Sequence, residues 1–209
     1  MPAVARVVAV VAAPIALAAA GVAHPRPLSV SSASGWADLH VVLLPVFPLV
    51  ALGFVVPLWG RPRRDPVGAA TVLAWVAGFT YACFYTGLDA VAGIAAGRAL
   101  QHAPAPVDRD AVVGPLFAAG DQLGRVGAYA FLVAAVAACV ALYPRAGIRI
   151  LPAGAVLFVA GWSFVDSHIF WPRGVLTMLG FALGFALLVW AADTGSKTGR
   201  RRMRTAPRH

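Results

Sequence analysis

Six runs of about 20 residues, each nearly free of charge, recur along this 209-residue chain at 3–23, 38–59, 67–90, 116–143, 149–169 and 174–192. A helix rises 1.5 Å per residue, so one such run spans the roughly 30 Å hydrocarbon core of a bilayer. Backbone polar groups in lipid must be bonded within their own segment, which makes each run a candidate membrane helix. Pro-rich or charged joints separate the runs: His24-Pro25-Arg26-Pro27, Arg61 to Pro66, Gln101 to Asp110, Tyr143-Pro144-Arg145 and Trp171-Pro172-Arg173. Only 12% of the residues are charged, against about 25% in a soluble domain. The expected fold is an all-α polytopic membrane helical bundle of about six transmembrane helices, with one domain over 1–195 and a basic tail over 196–209. The first run also fits a secretory signal, with Gly21-Val22-Ala23 as a small-residue cleavage site before His24. Cleavage there leaves five helices.

The net charge of +9 is unevenly spread. Six of the 17 basic residues lie after Asp193, and three lie in the Arg61-Pro62-Arg63-Arg64 loop. With both termini in the cytoplasm, twelve basic residues fall inside and five outside, which satisfies the positive-inside rule. The expected location is therefore the cell membrane, multi-pass, with the lipid bilayer as partner. The tail is short and has no interleaved aromatic residues, so nucleic acid is not an expected partner. Cys83 and Cys139 sit in apolar runs without a CxxC spacing and read as packing residues.

In this topology Asp38, Asp89, Asp121 and Asp166 all fall near the outer ends of four different helices. Carboxylates are costly beside lipid and usually point into a protein interior, so the four are expected to face one cavity. Residues four apart share a helix face. That spacing aligns Tyr81, Tyr85 and Asp89, with Phe84 adjacent; Asp121, Arg125 and Tyr129; and Trp162, Asp166 and Phe170, with His168 nearby. Asp121 and Arg125 are placed to form an ion pair. Trp36, Asp38 and His40 open the second helix, with Ser34 as its candidate N-cap. Helix three is expected to continue towards Ala99 and helix four to start near Ala111, forming a small cap over the outer mouth.

His24, His40, His102 and His168 also fall outside, and imidazole suits zinc or copper. With cleavage after Ala23, His24 offers its amine and ring together. No HxxxH, HExxH or CxxC pair supports a metal, and His24 and His102 sit in Pro-rich loops where solvation is the simpler reading. The expectation is no metal and no cofactor. Dinucleotide, Walker and GxSxG templates are absent.

Two function classes remain. An acid in a dry pocket favours its protonated form and can donate a proton, and surrounding rings stabilise a cation. On Asp89 and Asp166 with Tyr81, Tyr85, Trp162 and Trp171, the chain resembles the membrane-integral terpene cyclases of meroterpenoid and indole- or diketopiperazine-terpenoid pathways. That resemblance implies protonation-initiated cyclisation of a lipophilic prenylated substrate, with a prenyltransferase upstream in the same pathway. Asp89 or Asp166 is then the acid and Asp121 or His168 the base. Tyr81, Tyr85, Phe84, Trp162, Trp171, Asp38 and His40 are then the pocket wall. Fungal members use glutamate as well as aspartate, and this chain has no glutamate. The alternative is a non-catalytic membrane protein that binds copper, zinc or a small ligand at the outer face.

Overall fold

The computed structural model describes residues 1–60 and 62–204, with side chains through 194. Arg61, the side chains of the basic tail and residues 205–209 lie outside the described residues. Every regular element described is helical, and five stretches are long and apolar enough to cross a membrane. We label the helices α1 (Ala3–Ala23), α2 (Val30–Val55), α3 (Pro66–Gln101), α4 (Arg109–Ala146), α5 (Leu151–Ser167) and α6 (Arg173–Arg204).

The apolar stretch Arg109–Ser167 has 59 residues, or about 90 Å of helix, three times the hydrocarbon thickness. It folds back at Gly147 (φ 59), whose backbone conformation few residues other than glycine adopt. Helix α4 runs through Pro144 to Ala146 before that turn. Pro144 therefore sits in the last turn, where its missing N–H costs only one ladder bond. Pro45 and Pro48, by contrast, interrupt α2. Its regular part, Ala33–Leu43, gives way to the short turns Val46–Leu49 and Leu52–Val55. Ser29, and not Ser34, caps α2. Its side chain accepts from the Ser32 N–H, and Ser32 Oγ accepts from the Ser29 N–H at 2.9 Å. Asp65 caps α3 by accepting from the Gly68 N–H at 2.9 Å, with Pro66 pre-set for the first turn. Asp108 caps α4.

A column of rings runs along the bundle axis: Tyr85, Tyr81, Phe164, Phe131, Phe181, Phe185 and Phe54, none more than 2% exposed. Side chains on the outside are also apolar, among them Val72, Phe79, Val133, Val140, Phe158 and Leu183. A chain apolar on both its inner and outer faces is built for lipid. Gly120, Gly124 and Gly127 of α4 face Ala92, Leu88 and Tyr85 of α3 so closely that an added Cβ would overlap or crowd each. Small residues at such a seam let two membrane helices approach. The expected extensions of α3 and α4 are present, and they form a cap on α2 with its own small core of Leu28, Ala33, Trp36, Ala96, Leu100 and Val113.

The two ends of the bundle differ. One carries Arg6, paired with Asp193, together with Arg63, Arg145 and an exposed Trp59. The other carries His24, His40, His168 and the cap. We call these the basic end and the histidine end.

Candidate metal centre

The site begins with a change of helical pitch. From Asp89 to Ala95, α3 widens into a π-helix, a form that recurs at functional sites because it re-aims side chains within a continuous helix. Asp89 opens this segment and turns inward, with no solvent exposure. Trp36 Nε1–H donates to the Ala92 carbonyl at 3.2 Å and ties α2 to the widened turn. Gly93 lies against the His40 ring, where any Cβ would overlap the imidazole.

His40 and His168 meet beside Asp89, and His24 reaches the group through His40; each histidine is fixed by a different element. His40 Nδ1 lies 2.7 Å from the Trp36 carbonyl, and His24 Nδ1 lies 2.9 Å from the Pro25 carbonyl. A carbonyl only accepts, so both Nδ1 atoms carry the proton and both Nε2 atoms carry a lone pair. The two Nε2 atoms are 3.4 Å apart, so with both rings neutral their lone pairs oppose each other. His24 reaches this position because Gly21 lets the end of α1 press onto the Ile169 carbonyl in the α5–α6 turn. His168 sits in that turn at φ 44, a strained conformation for a residue with a side chain. Its Nδ1 is 3.0 Å from the Tyr85 hydroxyl.

Asp89 completes the group. Its Oδ1 is 3.8 Å from His40 Nε2, beyond hydrogen-bonding range, and neither carboxylate oxygen has a hydrogen-bond partner among the described residues. One ligand atom each from His40, Asp89 and His168 lie within 4.8 Å of one another. Rings enclose the cluster: Trp36 stacks on His40, Phe170 meets His24 and His168 edge-on, and Phe47 stacks on His168. Burial pulls His24 down to about 4 and His168 down to about 3, so both rings are neutral at pH 7. Neutral imidazole is the form that binds a metal.

Two cavities adjoin the cluster. One, of about 430 Å³, is lined by Tyr85, Asp121, Arg125, Asp166, Phe170 and Trp171, among others. The second, of about 310 Å³, is lined by Trp36, His40, Gly93 and Phe117. They share Arg26, Leu88, Asp121, His168 and Phe170. Asp89 and His24 line neither.

The expected convergence of four carboxylates is therefore corrected. Asp38 is 66% exposed and paired with Arg98 at 2.5 Å; Asp166 is 65% exposed and paired with Arg173 at 2.6 Å. Neither acid needs a pocket, because an arginine from another element meets it at the surface. Asp121 is exposed at the cavity wall, and the expected Asp121–Arg125 ion pair does not form. Asp89 alone is buried. Tyr81 is buried and donates to the Phe47 carbonyl at 3.2 Å, away from both cavities. Phe84 is half-buried outside both cavities, Trp162 faces outward at 61% exposure, and Trp171 lines the larger cavity at 60% exposure. His102 stands exposed just past α3, and His209 lies outside the described residues.

The residue that sequence reasoning underrated is His24, named as a chelator only if cleavage exposes its amine, otherwise read as solvated, and in fact 8% exposed. Its signal was positional: His24, His40 and His168 all fall on the same side of the expected topology. Spacing rules could not find it, because the four donors come from four separate segments. The chain matches no known protein family, no curated protein and no solved structure.

Chemically, the group offers two imidazoles and one carboxylate close to one another, with the His24 imidazole adjoining His40. Two nitrogens bound to one ion at about 2.0–2.1 Å, at a near-tetrahedral angle, stand about 3.4 Å apart. The His24–His40 separation has that value. A nitrogen-rich set with one oxygen suits zinc or copper and excludes calcium and magnesium, which require oxygen donors.

Proposed function

We propose that this chain is an integral membrane protein that binds one transition-metal ion, zinc or copper, through His24, His40, Asp89 and His168. The observation that carries the reading is the pair of imidazole lone pairs facing each other at 3.4 Å beside a buried, unpartnered carboxylate. With both rings neutral and Asp89 ionised this arrangement is repulsive, and a lone buried carboxylate costs several kcal/mol. A divalent ion offsets both terms. The two carbonyls and the Tyr85 hydroxyl serve as the outer partners that orient metal-bound histidines.

The same reading places the basic end in the cytoplasm, because Arg6, Arg63, Arg64, Arg145 and Arg149 gather there. The metal then lies just beneath the extracytoplasmic surface of the cell membrane. The test is elemental analysis of protein purified in detergent after growth with zinc or copper. One ion per chain is expected, with loss in Asp89→Asn, His40→Ala and His168→Ala at unchanged helicity. Substoichiometric metal, or full retention in all three variants, contradicts the reading.

One observation favours a second reading. The larger cavity combines Tyr85, Phe164, Phe170 and Trp171 with the carboxyl groups of Asp121 and Asp166, the parts that acid-initiated cyclisation of a prenylated substrate requires. Asp89 is screened from that cavity by burial, which weakens it as the proton donor. Membranes carrying the protein, given a geranylgeranylated acceptor, then form an isomer of equal mass. Absence of that isomer with an intact metal centre removes this reading and leaves the first.

A further inference from the structure

The metal centre is built asymmetrically, and the asymmetry points to a ligand. Asp89 and His24 are sealed off, whereas His40 lines the smaller cavity and His168 lines both. Protein therefore closes one side of the cluster, and the other side is left to an exchangeable donor.

The charge of that other side is specific. Among the described residues, Arg26 and Arg125 line the larger cavity with no carboxylate within 4 Å, while Arg173 is held by Asp166. The Arg26 guanidinium lies over the Phe170 ring at 4.9 Å, and Phe170 in turn touches His24 and His168. The one carboxylate there without an ion partner is Asp121. Two unpaired guanidinium groups against one unpaired carboxylate leave the wall net cationic.

Depth supplies the rest. On α4 the exposed side chains Val126, Tyr129, Val133, Val136 and Val140 form a lipid-facing face that ends at Arg125; on α5, Phe158, Val159 and Trp162 do the same below Asp166. Arg125 and Asp166 both line the larger cavity, so its mouth lies where the helix surfaces change from apolar to charged. An amphiphile positions its headgroup at that level.

Resting on the metal reading, we propose that the ion takes a fifth, exchangeable donor on the cavity side, and that this donor is the carboxylate or phosphate headgroup of an amphiphile. Arg26 and Arg125 hold its charge, and its alkyl chain lies along the apolar wall by Leu88, Phe164 and Trp171. Guanidinium groups match such oxyanions in a planar, two-point manner.

The test uses the full chain in a neutral maltoside detergent, loaded with cobalt(II), whose visible spectrum reports its donors. Decanoate stands for a free fatty acid, dihexanoylphosphatidylglycerol for a membrane lipid, and decanol and acetate are the controls. A saturable spectral change with decanoate, with the phospholipid or with both is expected, and which of them acts identifies the source. Decanol is expected to be silent, and acetate to need at least about tenfold more. Arg26→Gln and Arg125→Gln, at full cobalt loading, each weaken the response about tenfold, the value of one charge-assisted hydrogen bond. Cobalt that binds while neither anion moves the spectrum overturns this proposal and leaves the metal reading standing, as does an equal response to decanol. Failure of cobalt to bind at all overturns both.

Discussion

Asp89 is the residue on which the molecule's chemistry turns. A carboxyl group with no exposure and no hydrogen bond opposes folding in its ionised form unless a cation joins it. Asp89→Asn removes that charge, so in alkaline buffer, where the carboxyl group would have to ionise, the metal-free variant is expected to melt at a higher temperature than the metal-free parent. The rise in melting temperature that zinc gives the parent should vanish in the variant. Thermal unfolding in detergent, with and without chelator, measures both. A variant less stable than the metal-free parent would show that Asp89 has a partner the account has overlooked. Tyr85 acts one step further out, through its contact with His168 Nδ1. Tyr85→Phe keeps the ring stack and loses the hydroxyl, and outer-partner changes of this kind cost about 10–100-fold in metal affinity. Competition against a chelator of known affinity checks this. An unchanged affinity would place His168 outside the centre.

At the scale of elements, the site depends on close approach between helices, which glycine permits. Gly124→Val drives a branched side chain into Leu88, one residue before Asp89, at an expected cost of about 1–3 kcal/mol from overpacking. Gly93→Ala presses directly on the His40 ring and is expected to lower metal affinity more than it lowers stability. Comparing the two variants in melting and metal titration separates helix packing from ligand placement. The same elements explain what the sequence made legible. Runs of apolar residues located every span, because hydropathy and length are local properties. The extension of α3 to Gln101 and the start of α4 at Arg109 were legible for the same reason. The π-helix at Asp89–Ala95 was not, since a change of pitch arises from packing against α2 and α4 and leaves no local signature. Asp38 and Asp166 were misplaced because a topology diagram fixes depth but not azimuth. Arg98 and Arg173, which draw them to the surface, are set by the tertiary fold.

For the whole molecule, the two ends make a directional statement. The proposed topology sets the basic end in the cytoplasm by the positive-inside rule and the histidine end on the other side. With Cys83 and Cys139 replaced by alanine, a cysteine at exposed His102 should react with a membrane-impermeant maleimide added to intact cells. A cysteine at exposed Trp59 should react only after the cells are opened. The reverse pattern would invert the topology while leaving the metal centre intact. The account as a whole rests on four donors from four segments closing on one ion. X-ray absorption at the metal edge of the zinc- or copper-loaded protein reads that closure directly. Three imidazole rings and a carboxylate oxygen at about 2.0–2.1 Å are expected for zinc, falling to two rings in His24→Ala. A shell of water and detergent oxygens, or a spectrum that His24→Ala leaves untouched, would contradict the account.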